Sequence, residues 1–434
     1  MIVNGLLVLM GSGETSPTMV TLHREIAAHL TADPDAVILE TPYGFQVNRD
    51  DISTRAREYF RRSVGLMTAV APDRCDDGPT SSGDADALRD GVRRADWVFS
   101  GPGSPSYALG RWHTLRLGQI LRERVSRGYG VTIMASAAAC TAGMAALPVY
   151  EIYKAGHPPE WLSGLDLLGS LGLPVAVIPH YDNTEGGTHD TRFCYLGEPR
   201  LGALEDELPD EAAVLGIDEH TAAIVDLGTS MVRVWGRGAM TVRRRGVSVP
   251  VPAGTTLPLK QLRALVRGTQ STAVPTSRRP PADAVHLVTE DATTLQEAVR
   301  SAESHFDRAH EARDSAAMAD VAVELESVIA AWSADMEEDQ GGEWARTVLH
   351  GMIRRLAQAA ARGLSEPEQT LGRILVPLLD LRTRFREEGA FDLADAVREA
   401  VAAGGVRLRD SAKGSEWRWE EATLDQQTDD HTEP

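Results

Sequence analysis

The chain has 434 residues, with 63 Asp and Glu against 44 Lys and Arg, which gives a net charge of −19. At about 150 residues per domain, this length predicts two or three domains. The charge is uneven, because residues 283–434 contain 32 acidic and 16 basic side chains, a net of −16. Nonspecific nucleic-acid binding requires a basic surface, so the C-terminal third is poorly suited to it.

Cysteine content and hydropathy argue against a disulfide-rich, a zinc-binding or a membrane-spanning protein. The three cysteines are widely spaced and form no Cys-x-x-Cys pair, so neither a disulfide framework nor a zinc site is indicated. No apolar run approaches the roughly 20 residues that a membrane span needs, and the first residues run directly into a strand without a basic leader. We therefore expect a cytoplasmic protein that does not contact a membrane and has no metal or cofactor.

The first 270 residues alternate between strand-like apolar runs and segments of helical length. The runs are Gly5–Met10, Ala36–Leu39, Trp97–Ser100, Val131–Ala135 and Val175–Pro179. This pattern predicts βα repeats around a parallel sheet, which is an α/β fold of three layers. Shorter strands follow at Thr221–Asp226, Met231–Val234 and Met240–Val242, and they suggest an antiparallel edge that closes the domain.

Beyond residue 270 the pattern changes twice. Residues 271–282 are rich in Pro, Ser and Thr and predict a linker. Residues 283–403 then carry apolar residues at helical spacing, which predicts an α-helical bundle with Trp332, Trp344 and Phe391 as its aromatic core. Residues 404–420 suggest a short β-hairpin, and residues 421–434 are acidic and polar, which predicts disorder.

Ser136 lies where the apolar run Val131–Ala135 breaks into small residues. This strand-turn-helix pattern places a hydroxyl on a tight turn, where backbone N–H groups can stabilise an oxyanion. A serine needs a histidine to take its proton and a carboxylate to hold that histidine, and Glu151 and His180 follow in the chain. The carboxyl ends of parallel strands are where ligands bind, and the loops Gly11–Glu14 and Gly101–Ser104 also follow strands.

Four ordered motifs carry a family resemblance: Gly101-Pro-Gly-Ser104, Ser136-Ala-Ala-Ala139, Pro179-His180-Tyr181 and Gly216-Ile-Asp-Glu219-His-Thr221. On these motifs, residues 1 to about 245 resemble the peptidase E and cyanophycinase family, serine hydrolases with a class I glutamine amidotransferase-like fold. The resemblance implies a nucleophile at Ser136, a general base at His180 and an acid at Glu151. His189 and Glu219 are candidates for substrate binding.

The chain departs from the family pattern at three positions. Met134 and Ala138 stand two residues before and after Ser136, where small residues relieve the strained turn. Pro102 replaces a glycine and has no N–H to donate, so the predicted oxyanion donors are Gly103 or Ser104 together with Ala137. Cys140 is a second candidate nucleophile, since its small neighbours match the thiol site of glutamine amidotransferases; the alternative is a buried helix cysteine.

The C-terminal region has a resemblance of its own. Leu378-Leu-Asp-Leu-Arg382, Ala394-Asp-Ala-Val-Arg398, Gly405-Val-Arg-Leu-Arg-Asp410 and Gly414-Ser-Glu-Trp417 occur in the order seen at the end of cysteinyl-tRNA synthetases. No synthetase catalytic signature is present, so the chain is not expected to charge tRNA. The resemblance makes a set of residues candidates for RNA contact: Arg382, Arg386, Arg398, Trp417 and Arg418.

Two functions remain open at this stage. In the first, the chain is a serine-type hydrolase that acts on a small peptide or an amide bearing an acidic residue. In the second, it is an RNA- or tRNA-associated binding protein, or a catalytically weakened hydrolase, that uses the synthetase-like module. The candidate partners are accordingly a small peptide or amide, tRNA, and a second copy of the chain.

Overall fold

The structure is a computed structural model that describes residues 5–71, 82–184, 189–269, 277–278, 294–332, 341–362, 367–411 and 414–419. Contacts divide the chain into two compact units. The first comprises Met1–Leu295 and Val328–Gly342, and the second comprises Gln296–Ser327 and Glu343–Pro434. The predicted linker is described only at its residues 277–278, and the predicted disordered tail lies outside the described residues.

The strands of the first unit are numbered in chain order. They are β1 (Leu6–Met10), β2 (Ala36–Leu39), β3 (Ala69–Ala71), β4 (Trp97–Ser100), β5 (Val131–Ala135), β6 (Ala145–Ala146), β7 (Leu162–Ser163), β8 (Val175–Ile178), β9 (Ala213–Ile217), β10 (Thr221–Asp226), β11 (Met231–Gly236), β12 (Ala239–Arg244), β13 (Val247–Pro252), β14 (Thr255–Pro258) and β15 (Ser277–Arg278). The second unit adds β16 (Val406–Ser411) and β17 (Gly414–Trp419).

The helices follow the same numbering. They are α1 (Val20–Ala27), α2 (Arg49–Tyr59), α3 (Ser82–Arg94), α4 (Pro105–Leu115), α5 (Leu117–Arg127), α6 (Ala137–Thr141), α7 (Val149–Tyr153), α8 (Gly197–Glu207), α9 (Leu259–Val266), α10 (Leu295–Glu311), α11 (Ser315–Trp332), α12 (Gly341–Arg362), α13 (Pro367–Glu387) and α14 (Phe391–Ala403). Among the described residues, none of these helices combines the length and the apolar character needed to cross a membrane.

The main sheet has the strand order β15-β14-β11-β10-β1-β5-β4-β2-β3. Its five strands β1, β5, β4, β2 and β3 pair in parallel, whereas β10, β11 and β14 add antiparallel strands on the other side of β1. Strand β1 is central: Met10 pairs with Ala135 of β5 on one side and with Ala222 of β10 on the other. The predicted α/β class with a parallel core is confirmed.

Both faces of this sheet are buried. Leu7 and Leu9 of β1 belong to one core cluster with residues of α4 and α5, whereas Val8 and Met10 belong to a second cluster with residues of α1 and α2. Successive side chains of a strand point to opposite faces, so a parallel strand that is covered on both sides reads as a continuous apolar run. This is why the core strands were recognisable in the sequence as uninterrupted apolar stretches.

The sequence predicted one sheet, but the structure has a second one with the order β13-β12-β9-β8-β6-β7. Strand β8, which precedes His180, pairs in parallel with β6 and β9 of this second sheet. The physical reason is that β1 already pairs with β5 on one side and with β10 on the other. Strand β8 therefore cannot pair with β1 and joins the second sheet. For the same reason β10 lies inside the main sheet and is not an edge strand.

The second unit is helical and ends in the antiparallel hairpin of β16 and β17, as predicted. Its buried apolar residues include Val299, Phe306, Met318, Leu325 and Met352. The prediction of its aromatic core was wrong for Trp344 and Phe391, which are 38% and 60% exposed. Aliphatic residues and Phe306 fill that role, because helical spacing alone does not say which of two apolar stripes faces inward.

Candidate active site

Ser136 lies on the turn between β5 and α6, and its backbone is strained. It has φ 47° and ψ −119°, a conformation that a residue with a side chain rarely adopts. The turn is fixed by two hydrogen bonds: the Ser136 amide donates to the Met10 carbonyl at 3.1 Å, and the Ala138 amide donates to the Gly101 carbonyl at 3.2 Å. The hydroxyl is therefore held at the carboxyl end of the main sheet by neighbouring strands.

His180 follows β8 and faces this hydroxyl. The distance from its Nε2 to Ser136 Oγ is 3.0 Å. Its backbone also has positive φ, at 47°, and its carbonyl accepts a hydrogen bond from the Cys194 amide at 3.1 Å. The backbone conformation of His180 and its hydrogen bond from Cys194 thus orient the ring toward Ser136.

Glu219, in the loop between β9 and β10, contacts the other ring nitrogen. Its Oε1 lies 3.0 Å from His180 Nδ1 and also accepts a hydrogen bond from Asn183 Nδ2 at 3.0 Å. Burial by itself would raise the pKa of Glu219, but the hydrogen bonds and charge of His180 and the Asn183 amide bring it below its usual value. With an ionised Glu219, Nδ1 carries the proton and Nε2 accepts from the Ser136 hydroxyl.

The structure corrects the predicted acid, because the carboxylate that contacts His180 belongs to Glu219 and not to Glu151. Glu151 lies in the first turn of α7, and its Oε2 is buried with no hydrogen-bond partner in the described part of the chain. Glu219 was predicted only as a substrate-binding residue. The signal that could have found it is its place directly after β9, because β9 pairs with β8 and brings the ends of both strands together.

The predicted oxyanion donors differ in their availability. The Ser104 amide donates to the Pro42 carbonyl at 2.8 Å, and its hydroxyl accepts from the Tyr107 amide at 3.2 Å, so Ser104 caps α4 and has no free amide. The amides of Gly103 and Ala137 donate to no protein group within the described residues. These two amides remain as candidate donors. Gly103 lies on the loop after β4 and Ala137 on the turn after β5, and the hydrogen bond from Ala138 to Gly101 joins the two segments.

The structure accommodates Met134, Ala138 and Pro102, the three departures from the resembled motifs, in different ways. Met134 is fully buried and belongs to the core cluster on the α4 and α5 face, so its side chain does not need space at the turn. Ala138 is also fully buried in that cluster. Pro102 is partly exposed, and it removes one amide from the Gly101–Ser104 loop without displacing Gly103 from it.

Two other sequence candidates lie apart from this arrangement. Cys140 is fully buried on α6, its Sγ lies 3.6 Å from the Leu147 carbonyl, and burial raises the pKa of its thiol to about 12. A thiol in that state is a poor nucleophile. His189 is exposed and makes no hydrogen bond to another described residue. Neither side chain is brought to Ser136 by a described contact.

Two further carboxylates surround the Glu219 loop. Asp182 Oδ1 accepts a hydrogen bond from the Glu219 amide at 2.7 Å, and Asp218 Oδ2 accepts one from the Ala239 amide at 2.7 Å. Burial and the neighbouring charge of Asp182 raise the pKa of Asp218 to about 6. Within the described residues, no group of three or more His, Cys, Asp or Glu side chains is arranged to hold a metal ion.

The residues proposed for RNA contact are also separated by the fold. Arg382 is only 2% exposed, and Trp417 packs against the cluster of Leu375, Val401 and Val406. Arg382 is therefore buried within the second unit and offers no surface for RNA, whereas Trp417 is partly buried and keeps some exposed surface. The others are exposed: Arg386, Arg398 and Arg418.

Comparisons with known proteins give limited similarity. No protein-family model matches the chain, and no curated protein matches it. A peptidase from an acI-B1 Actinobacterium is similar in structure, with 19% identity and a TM-score of 0.43 over 58% of this chain and 96% of that one. A putative peptidase E protein from Listeria monocytogenes EGD-e is similar with 16% identity and a TM-score of 0.37, over 54% of this chain and 98% of the other.

Proposed function

We propose that the chain is a serine-type hydrolase that cleaves a small peptide or amide at Ser136. The observation that carries the proposal is the hydrogen-bonded series from Ser136 Oγ to His180 Nε2 and from His180 Nδ1 to Glu219 Oε1, each step 3.0 Å long. A hydroxyl, an imidazole and a carboxylate in this order are what a serine needs to become a nucleophile at neutral pH.

The chemistry follows from the geometry. Ser136 Oγ bonds to the substrate carbonyl carbon while His180 Nε2 takes the hydroxyl proton, and the carbonyl π electrons move onto oxygen. In this proposal the amides of Gly103 and Ala137 donate to that oxyanion. His180 then gives its proton to the leaving nitrogen as the C–N bond breaks, and water hydrolyses the resulting ester by the same steps in reverse. Glu219 stays ionised and stabilises the imidazolium.

Phe45 and Tyr107 form an aromatic pair next to the loop Gly101–Ser104, and this pair favours a substrate with an apolar side chain. Phe45 is 44% exposed, and its ring lies 5.0 Å from the ring of Tyr107. The segment before Phe45 is anchored in the first unit, because Tyr43 is fully buried and its hydroxyl lies 3.0 Å from Ser53 Oγ. The preceding Pro42 accepts the Ser104 amide, so the aromatic pair adjoins the same loop as Gly103.

The test is hydrolysis of a set of aminoacyl and dipeptidyl anilides by the purified chain. We expect activity in the wild type and in Cys140→Ala, and its loss in Ser136→Ala and His180→Ala by a factor on the order of 10⁴ or more. Activity that survives Ser136→Ala but disappears in Cys140→Ala would instead assign the reaction to the thiol.

Substrate preference is tested on the same set. Phe45→Ala should raise KM for substrates with apolar side chains about tenfold and leave small substrates unchanged, since only the apolar contact is lost. Val47→Ala, two residues further and fully exposed, is the matched control and should change neither. If the two substitutions change KM equally, the aromatic pair does not contact the substrate.

A further inference from the structure

Asn183 is buried beside the hydrogen-bonded series and was not recognised from the sequence. It lies three residues after His180, has no exposed surface, and its Nδ2 donates to Glu219 Oε1 at 3.0 Å. That oxygen is the same one that lies 3.0 Å from His180 Nδ1. A single carboxylate oxygen thus receives two donors, one from the histidine and one from the amide.

The backbone of Asn183 is fixed as well as its side chain. Its amide donates to the His180 carbonyl at 3.3 Å, and its own carbonyl accepts from Thr191 Oγ1 at 3.4 Å. One residue earlier, Asp182 accepts the Glu219 amide at 2.7 Å. The loop after β8 therefore holds Glu219 at both its backbone and its carboxylate, while the same loop carries His180.

We infer that Asn183 is a positioning residue that fixes the Glu219 carboxylate in its ionised form against His180 Nδ1; this rests on the proposed hydrolase function. A buried carboxylate without compensating donors takes up a proton or turns away, and either change releases the imidazole. The amide supplies a donor that carries no charge, so it stabilises the carboxylate without competing with His180 for the proton.

The charges around Glu219 set the expected pH behaviour. His180 contacts its carboxylate, Asp182 accepts a hydrogen bond from its amide, and Asp218 and His220 flank it in the chain. Replacing the neutral Asn183 amide by a carboxyl group adds a third neighbouring acid. The new carboxylate would face Glu219 Oε1, and the repulsion between the two negative charges is relieved when His180 carries a proton, so His180 should bind its proton more tightly.

The experiment measures the rate at which a fluorophosphonate phosphonylates Ser136 as a function of pH. In this reaction Ser136 Oγ bonds to phosphorus, fluoride leaves, and His180 takes the hydroxyl proton, so the rate reports the fraction of neutral His180. No knowledge of the natural substrate is needed. Asn183→Asp should shift the acidic limb of the rate profile to higher pH by about one unit.

Two more variants separate positioning from general stability. Asn183→Ser is smaller and polar but too short to reach Glu219, and its plateau rate should fall about tenfold, the value of one lost hydrogen bond to a charged group. Gln119→Ser is the matched control: it removes an exposed amide that donates to the Glu123 carboxylate on α5 at 3.0 Å, and it should leave both the limb and the plateau unchanged.

The inference is overturned if wild-type Ser136 is labelled and Asn183→Asp leaves the limb in place, or if Asn183→Ser reacts at the wild-type rate. Should Asn183→Asp fail to fold, Asn183→Ser still decides the question by its plateau rate. A wild-type chain that is not labelled at Ser136 would overturn the proposed function itself, which keeps the two failures distinct.

Discussion

Gly103 lies so close to Pro42 that a side chain cannot be added there. A Cβ at Gly103 would stand 2.1 Å from the Pro42 carbonyl oxygen, and the residue has φ 132°, where only glycine is unstrained. The same carbonyl accepts the Ser104 amide at 2.8 Å. The Gly103 amide, a proposed oxyanion donor, therefore depends on two neighbouring loops keeping this close approach.

Gly103→Ala should reduce the hydrolysis rate at least a hundredfold, because the loop must move and carry its amide away from the oxyanion. The measurement is kcat/KM on the best anilide substrate. Gly110→Ala on α4 is the matched control, since a Cβ there meets nothing within 4 Å and alanine favours a helix. A Gly103→Ala variant with wild-type kcat/KM would exclude this amide from the reaction.

Glu219→Gln and Glu151→Gln distinguish the carboxylate that contacts His180 from the acid that the resemblance implied. Glu219→Gln should lower kcat by a factor on the order of 10⁴, because the imidazolium loses the negative charge that stabilises it. Glu151→Gln should stay within a few-fold of the wild type. The reverse ranking would restore Glu151 as the acid.

The sequence predicted Ser136 and His180 because each directly follows a strand that is recognisable by its apolar run. The acid could not be chosen in the same way, since Glu151 and Glu219 both occur in acceptable positions along the chain. The choice depends on the pairing of β8 with β9, which joins residues 38 positions apart in sequence. Asn183 contacts Glu219 through its side-chain amide, and Pro42 contacts Ser104 through its backbone carbonyl. Neither contact can be recognised from a pattern of residue types.

His23 should make the first unit sensitive to acid. It is 2% exposed, Nε2 donates to the Glu14 carbonyl at 2.7 Å, and burial lowers the pKa of His23 to about 4. The unfolded chain binds the proton at about pH 6.5, so stability is full above that pH and is lost as the pH falls toward 4. At pH 5 the loss relative to pH 7 should be about 2 kcal/mol.

The measurement is the free energy of unfolding in urea at pH 7 and pH 5 for the wild type and His23→Gln. The variant should lack this part of the pH dependence, whatever its absolute stability. His29→Gln, which changes an exposed histidine near the end of α1, should keep the wild-type difference. A pH dependence that is the same in His23→Gln and the wild type would contradict the assignment.

In the second unit, Arg382→Ala should be more damaging than Arg386→Ala. Arg382 is buried on α13, and truncation leaves its surroundings unfilled, at a cost on the order of 2 kcal/mol. Arg386 is exposed on the same helix, and its loss should change stability by less than about 0.5 kcal/mol. Hydrogen exchange of the α13 and α14 amides in the full chain measures both, and equal protection would refute the structural role of Arg382.

We propose Ser136 as the activated nucleophile, and mapping of a covalent adduct is the decisive test. The chain is treated with a fluorophosphonate at neutral pH, digested with trypsin and fragmented in the mass spectrometer. Because Ser136 and Cys140 fall in one tryptic peptide, the fragment ions must assign the adduct to a single residue. We expect one phosphonyl group on Ser136 that disappears in His180→Ala; an adduct on another residue, or none, would show that Ser136 is not the nucleophile.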